Sequence, residues 1–571
     1  MTYRSLFAIF IIVMAGPKLF AQEGGAPQNT LLPAIDPQDI EIRSEFKARF
    51  PGLRRQPILG FNPKPRVFRI DPNRMPFMES PDEAVASIST TQLDRPLPPN
   101  QSILRTPNRT TAYVRAGVGS FISPEIEAYA LHKISDVNLI SGNLNFRSSD
   151  GHLVNQSSGF RFFDTNVLYS TRIREKVRAS FKGEIISDFN NIFELSPNVP
   201  NDGSGTAKKN YLGMNAGMIL SGNKNALEGW KYFLNIAATE MDLSAPNNAL
   251  KGELTEQVAS TGFENVWAGA KLNETFSTKV NLNVGNYSPE GLGSTQWVNT
   301  NVSIAYNTLY NYATKVSISG GVGYVGDGIN KKILFITNSN IDHSITDALS
   351  LRGGIYAAPD MKTAWSHHQT NRFLNANTQL QYEYTMGAEG GVEFVPLQGT
   401  KLFGLLRYEH ISNNAYYERE ERNFGVNIEP LYYNVNYGDA TLFELRTGIT
   451  QQLVMDKLWF DGVVYARRPK LKSAGDIPFE ERLGGEAAFN FKPVDQIKIQ
   501  SWAHFKGERE APAGTQNLDG YVLVNASVDY EINSKFGVYF KVLNILGNNY
   551  KIWDGYEERP FQVFGGIKLK L

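Results

Sequence analysis

The chain ends in DGYVLVNASVDYEINSKFGVYFKVLNILGNNYKIWDGYEERPFQVFGGIKLKL, Asp519–Leu571, and the period of this stretch decides the fold. Val522, Val524, Ala526, Val528 and Tyr530 alternate with Asn525, Ser527, Asp529 and Glu531. After Asn533-Ser534, Phe536, Val538, Phe540 and Val542 alternate with Lys535, Gly537, Tyr539 and Lys541. The last run carries Phe561, Val563, Ile567, Leu569 and Leu571 on one face, with Gln562, Lys568 and Lys570 on the other. A period of two places successive side chains on opposite faces of a strand.

The same alternation runs upstream. Phe443, Leu445, Ile449 and Leu453 oppose Glu444, Arg446, Thr450 and Gln452, and Ile497, Ile499, Ala503 and Phe505 oppose Lys498, Gln500, His504 and Lys506. From 111–121 to 561–571 we read 22 such runs. Their connections sort into two kinds. Ser135-Asp136, Arg174-Glu175-Lys176, Thr346-Asp347, Val494-Asp495 and Asn533-Ser534 are short. Ser149–Phe160, Phe189–Lys208, Asp242–Glu256, Pro359–Glu383, Ser412–Asp439, Arg468–Phe479, Glu508–Leu518 and Gly547–Pro560 are long and polar. Ile122-Ser123 and Gly222–Gly229 are exceptions to the order. Short turns alternating with long loops are the signature of a transmembrane barrel, and closure is its physical cause: hydrocarbon supplies no partner for an open sheet edge. The expected fold is therefore all-β, a transmembrane antiparallel β-barrel of about 22 strands. Its charged face lines the lumen, and both termini of residues 111–571 lie on the turn side, expected to be periplasmic. Aromatic residues at strand edges, among them Trp230, Tyr232, Trp267, Trp297, Tyr408 and Tyr530, are candidates for interfacial girdles. By parity, Trp459 and Trp502 fall on the luminal face.

The beginning of the chain is different. Residues 1–21 read as a signal peptide, with Arg4 as flank, Leu6–Ala15 as apolar core and Ala21 before the cut. Residues 22–110 hold 14 of the 28 prolines. Proline removes ladder donors, so this segment is not continuous sheet. Glu41–Arg74 is basic, with Arg43, Arg54, Arg55 and Arg66 among its cations. These four arginines are candidates for plugging the lumen or docking, against luminal acids such as Glu444, Asp461, Asp529 and Glu531. The segment reads as a lumen insert or as a periplasmic arm.

Balanced charge, 57 basic against 57 acidic residues, gives no reason to expect nucleic acid, and the lack of cysteine excludes disulfides and thiolate metal sites. No Gly-x-Ser-x-Gly, His-Glu-x-x-His or phosphate-binding loop occurs, so we expect no catalytic residues, no cofactor and no enzyme. His410 and His504 are catalytic candidates by residue type alone. Ser366-His367-His368 offers two imidazoles without ligand spacing around them, so no metal site is expected.

Val524–Tyr530, Val542–Leu546, Asn549-Tyr550 and Gly555-Tyr556 resemble the C-terminal strands of TonB-dependent receptors, and Phe561–Leu571 has the form of their closing strand. The resemblance implies a 22-strand barrel in the Gram-negative outer membrane and transport of a solute across it. It also implies outer-membrane lipid and the outer-membrane assembly machinery as partners, with Phe561, Val563, Ile567, Leu569 and Leu571 as barrel closure and assembly signal. The chain ends in Leu571 where that signal ends in Phe or Trp. Such receptors carry a folded plug ahead of the barrel, and the prolines of 22–110 do not suit one. Pro37–Ile42 resembles a TonB box, an extended peptide that pairs by strand addition and would make TonB a partner. The alternative function is a non-transporting structural or accessory subunit that binds other outer-membrane proteins.

Overall fold

The computed structural model describes residues 110–571, apart from 154–157, 193–206, 226, 245–250, 272, 312, 329–330, 425–426, 455–456, 474 and 513–516. Residues 1–21, expected as a signal peptide, and residues 22–109, with Arg43, Arg54, Arg55 and Arg66, lie outside the described residues.

The described chain is one closed antiparallel barrel of 22 strands. The strands are β1 Thr110–Gly119, β2 Ser123–Lys133, β3 Asn138–Ser149, β4 Phe160–Arg174, β5 Val177–Ile192, β6 Ala207–Asn223, β7 Gly229–Ser244 and β8 Lys251–Ala268. They continue as β9 Thr275–Pro289, β10 Thr295–Tyr310, β11 Thr314–Gly326, β12 Lys331–Thr346, β13 Leu349–Met361, β14 Tyr382–Leu397 and β15 Thr400–Phe424. The last seven are β16 Asn427–Val454, β17 Leu458–Leu471, β18 Leu483–Val494, β19 Ile497–Lys506, β20 Tyr521–Glu531, β21 Phe536–Leu543 and β22 Gln562–Lys570. Each pairs with its sequence neighbours, and β22 closes on β1 from Tyr113↔Lys570 to Gly119↔Phe564. Two-residue Gly475–Asp476 adds to the edge of β17, and Lys551–Trp553 pairs with Tyr556–Glu557 in the last loop.

The alternation holds at the level of exposure. Ile304, Ile318, Ile333, Phe335, Ile355 and Leu445 are among many large apolar side chains at half exposure or more, reaching 75% for Ile333. Left in water, a belt of this size would be a strong aggregation surface; facing hydrocarbon it is the ordinary outer surface of a membrane barrel. The opposite parity carries Lys209, Glu256, Asn299, Glu444, Asp461 and Asn490, all buried. Trp267, Tyr408 and Tyr530 face outward, while Trp297 and Trp459 are buried on the inner face. Trp297 thus departs from the girdle expectation: its ring lies over Gly285, where a Cβ would meet the indole at 2.2 Å.

All 22 expected runs are strands, with both rims displaced by a few residues. Gly222–Gly229, expected as an irregular turn, is compact: Asn225 Oδ1 accepts from the N–H groups of Leu227 and Glu228, both at 2.8 Å. Ser412–Asp439 is a larger correction. It is no loop: β15 runs for 25 residues and β16 for 28, a hairpin that outgrows the hydrocarbon. A strand beyond the bilayer has no lipid face, so it loses the apolar row by which strands are read.

The outward belt gives a direct test. Leu282→Arg, mid-strand on the lipid face, is expected to destabilise the barrel by about 2–4 kcal/mol. Asn283→Arg, one residue on and facing inward, is expected to cost far less. Urea unfolding in vesicles measures both.

Candidate functional site

The loop-side mouth of the barrel is covered by chain, and this cap is the candidate site. Its central part follows β13. Thr363 caps a short helix, α1 (Ala364–Thr370), by accepting from the Ser366 N–H. The long polar connection Pro359–Glu383 thus contains a helix that its sequence did not announce. The Ala364 N–H donates to Glu256 Oε2 of β8 at 2.9 Å. The two histidines of α1 then point in different directions. His368 Nε2 donates to Asp188 Oδ2 of β5 at 2.9 Å, and the ring stacks on Tyr211 of β6 at 4.8 Å. His367 bonds the hydroxyls of Tyr417 on β15 and Tyr437 on β16, each at 3.1 Å. β5 and β16 stand eleven strands apart on a ring of 22, so adjacent side chains are tied to opposite walls.

This span is possible because the β15–β16 hairpin comes to meet α1. Its pairing slips between Ile411 and Asn414, where Asn413 takes a left-handed backbone, φ 55°. A bulge of this kind bends a strand and strengthens its twist. Beyond it Tyr417, Tyr432 and Tyr433 turn into a buried cluster with Ala364, Phe373, Leu374 and Ala376 of the cap, and Ile192, Tyr211, Met241 and Leu254 of the far wall. The last loop completes the cover. Phe373 stacks on Tyr556 at 3.5 Å, Tyr433 Oη donates to the Asp554 carbonyl at 2.7 Å, and Arg419 pairs with Asp554.

Both histidines are neutral. The single Tyr437 hydroxyl proton goes to the Gln379 carbonyl at 2.9 Å, so His367 donates from Nε2 and accepts from Tyr417 at Nδ1. His368 donates from Nε2, leaving Nδ1 buried without a partner among the described residues, a position that suits a bare lone pair and not a second N–H. Burial holds His367 down at about 3 and, despite the adjacent Asp188 carboxylate, His368 at about 4.

The two histidines singled out in sequence therefore serve different walls and do not converge as metal ligands. His504 faces the lumen, 3.8 Å from Glu486. His410 pairs with the outward-facing Met386, so it does not meet His504. Of the four luminal acids, Glu444 pairs with Arg446 and Arg467, Asp529 with Lys568 at 2.5 Å, and Glu531 with Lys570 at 2.5 Å. Asp461, 1% exposed, has no cationic partner among the described residues. Phe561, Ile567 and Leu571 are exposed on the outer face, Val563 and Leu569 are partly covered, and Val563 and Leu569 face Val542 and Phe536 of β21.

A closed 22-strand barrel with an apolar exterior, a charged interior and long loops on one rim is the architecture of a large outer-membrane protein. More narrowly, the barrel has the fold of the TonB-dependent receptors. The siderophore receptor PirA from Acinetobacter baumannii superposes with a TM-score of 0.63 over 82% of this chain and 81% of its own, at 11% identity. The ferric-catecholate import receptor Fiu from E. coli K12 gives 0.60, 81% and 82%, at 10% identity. The copper transporter OprC gives 0.62, 81% and 80%, at 9% identity. At these identities the likeness is one of fold. No protein-family model and no curated protein matches the sequence.

The neutral histidines make the cap pH-sensitive. Once the cap opens, each ring returns toward its ordinary value of 6.5, so the open form binds more protons as pH falls through about 6.5 toward 4. Cap stability is full above that window and is lost as pH falls through it. The protection of amides 364–376 against hydrogen exchange, relative to the intrinsic rate at each pH, should fall between neutral pH and about pH 5, and much less so in H367Q/H368Q.

Proposed function

We propose that this protein moves a solute across the outer membrane through its barrel. The observation that carries the reading is the inner wall, polar and charged along the strands, beneath a cap held by buried bonds and not by continuous sheet. A wall built only to fill space would be apolar; charge facing a lumen serves something that passes or docks there. Transport is the activity named for Fiu and OprC, and the shared fold supports bringing it here.

Two parts of the reading concern the segment ahead of β1. The basic run containing Arg43, Arg54, Arg55 and Arg66 supplies a lumen filler, because a barrel of 22 strands is too wide to stand open without leaking. Pro37–Ile42 engages TonB as an added strand, with the energy for transport arriving through it. The exposed apolar face of Phe561, Ile567 and Leu571 is the assembly signal read by the insertion machinery. A second reading, a non-transporting subunit of an outer-membrane complex, draws on the cap, since a barrel covered at its mouth can act as a scaffold.

Planar bilayers separate the two. The full chain should conduct or gain conductance when residues 22–110 are deleted, and the charge reversals R43E, R54E, R55E and R66E should raise its open probability. A silent barrel that leaves mild detergent with a stoichiometric partner would replace the first reading by the second. Conductance unaltered by the four reversals would remove the lumen-filling role.

A further inference from the structure

Three arginines gather beside the cap, of which only Arg372 also ties it to the wall. Arg147 comes from β3, Arg372 from the residues after α1, and Arg559 from the last loop. Arg372 and Arg559 lie against one ring, with their Cζ atoms 5.1 and 4.1 Å from the centre of Phe160. Arg147 lies 5.0 Å over Phe162, the next residue on the same face of β4 and its cross-strand partner. Arg372 bonds Asp188 on the inner face of β5 at 2.6 Å, which places the group inside the barrel.

Asp188 is shared between His368 and Arg372, Glu125 stands across from Arg147 on β2 but is already taken by Lys541 and Tyr539, and Glu558 is the carboxylate beside Arg559. Lys209 stands behind the group, wholly buried, its Nζ without an acceptor among the described residues. Arg559 Nε is likewise buried without an acceptor. Like charges brought together from three elements, with buried N–H donors facing no acceptor among the described residues, cost free energy. Burial outweighs Glu558 and, with Arg372 adding, holds Arg559 down at about 10. Arg147 is exposed to the interior and Arg372 and Arg559 are partly so, which leaves their forks open to a ligand.

We propose that Arg147, Arg372 and Arg559 form a binding site for a soluble solute bearing two or more oxyanion groups, carboxylates or phosphates. The planar guanidinium fork matches either group with paired N–H donors, and Phe160 and Phe162 hold the forks in place from behind. Arg147 is fixed to the wall, while Arg372 and Arg559 ride on the cap and the last loop. A ligand with a single anionic group would satisfy one fork and leave the others in mutual repulsion, so the site favours multivalent anions. The site deepens the transport reading by naming a substrate class, but binding is measured without flux.

Citrate and pyrophosphate are titrated by calorimetry into the full chain, in a phosphate-free detergent so that lipid phosphate is not a source. The wild type should bind at least one of them. R147Q/R559Q should weaken binding at least tenfold, whereas R446Q, which removes a cation paired to Glu444 elsewhere on the wall, should leave it unchanged. If the double variant unfolds at a lower temperature, R147K/R559K keeps the charge, removes the fork and should still weaken binding several-fold. The proposal is overturned if the wild type binds neither anion, if the arginine variants bind as well as it does, or if R446Q loses binding to the same degree. Failure here with conductance intact removes the site and leaves the pathway; binding in a silent barrel does the reverse.

Discussion

Every feature of this protein depends on one constraint: a sheet in hydrocarbon must leave no backbone group unpaired, so its first and last strands must meet. β22 meets both, with β21 on one side and β1 on the other. The inner face of the seam is built around one side chain, Tyr539. Glycines at 117 and 566 make room for its ring; a Cβ at either would come within 2.1–2.6 Å of the ring or of a backbone carbonyl. The Tyr539 hydroxyl donates to Glu125 of β2 at 2.7 Å, Lys541 reaches the same carboxylate at 2.5 Å, and Arg115 of β1 lies 3.9 Å over the ring. One carboxylate thus ties β1, β2 and β21 across the closure. An exposed ion pair would add little, but here the pairs are half-buried, share one acceptor and sit over an aromatic ring, so they also fix register.

The barrel was legible in the sequence because the membrane imposes a rule that single residues can show. Where a strand crosses hydrocarbon, Val528, Phe540 and Ile567 must alternate with partners of another kind, and the alternation is visible without knowing any neighbour. The rule stops at the edge of the bilayer. Residues 414–424 and 427–438 remain paired strand, yet their sequence reads as a polar loop, because outside the membrane one face no longer needs to be apolar. The slip between Ile411 and Asn414 that bends the hairpin has only Asn413 to announce it, a residue tolerant of left-handed backbone in any turn.

The cap was not legible for a different reason. Its parts lie far apart in sequence: Asp188, Glu256, His367, His368, Tyr417, Tyr437 and Tyr556 become neighbours only after the barrel has closed and its rim has turned inward. The pair His367-His368 stood out by composition, but without ligand spacing around it no role could be assigned to it. What distinguishes the two rings is direction, which depends on α1 and on the distance to each wall. The one signal that could have been weighed is the density of tyrosine in 416–437, high for a solvated loop and suited to a buried aromatic cluster with polar tips.

The cap and the arginine group are joined through Arg372. Its guanidinium holds the Asp188 carboxylate that also fixes His368, and it shares the Phe160 ring with Arg559. An anion bound there competes with Asp188 for the same donors, so it acts on the bond by which the cap grips the β5 wall. Linkage makes the effect reciprocal: whatever loosens the cap changes affinity for the anion by the same factor that the anion changes cap opening. Protonation of His368 enters the same balance, because a charged ring would claim more of Asp188 and free the Arg372 fork. Among the described residues of this mouth, His368 and Arg372 therefore draw, with the proposed anion, on one shared balance centred on Asp188.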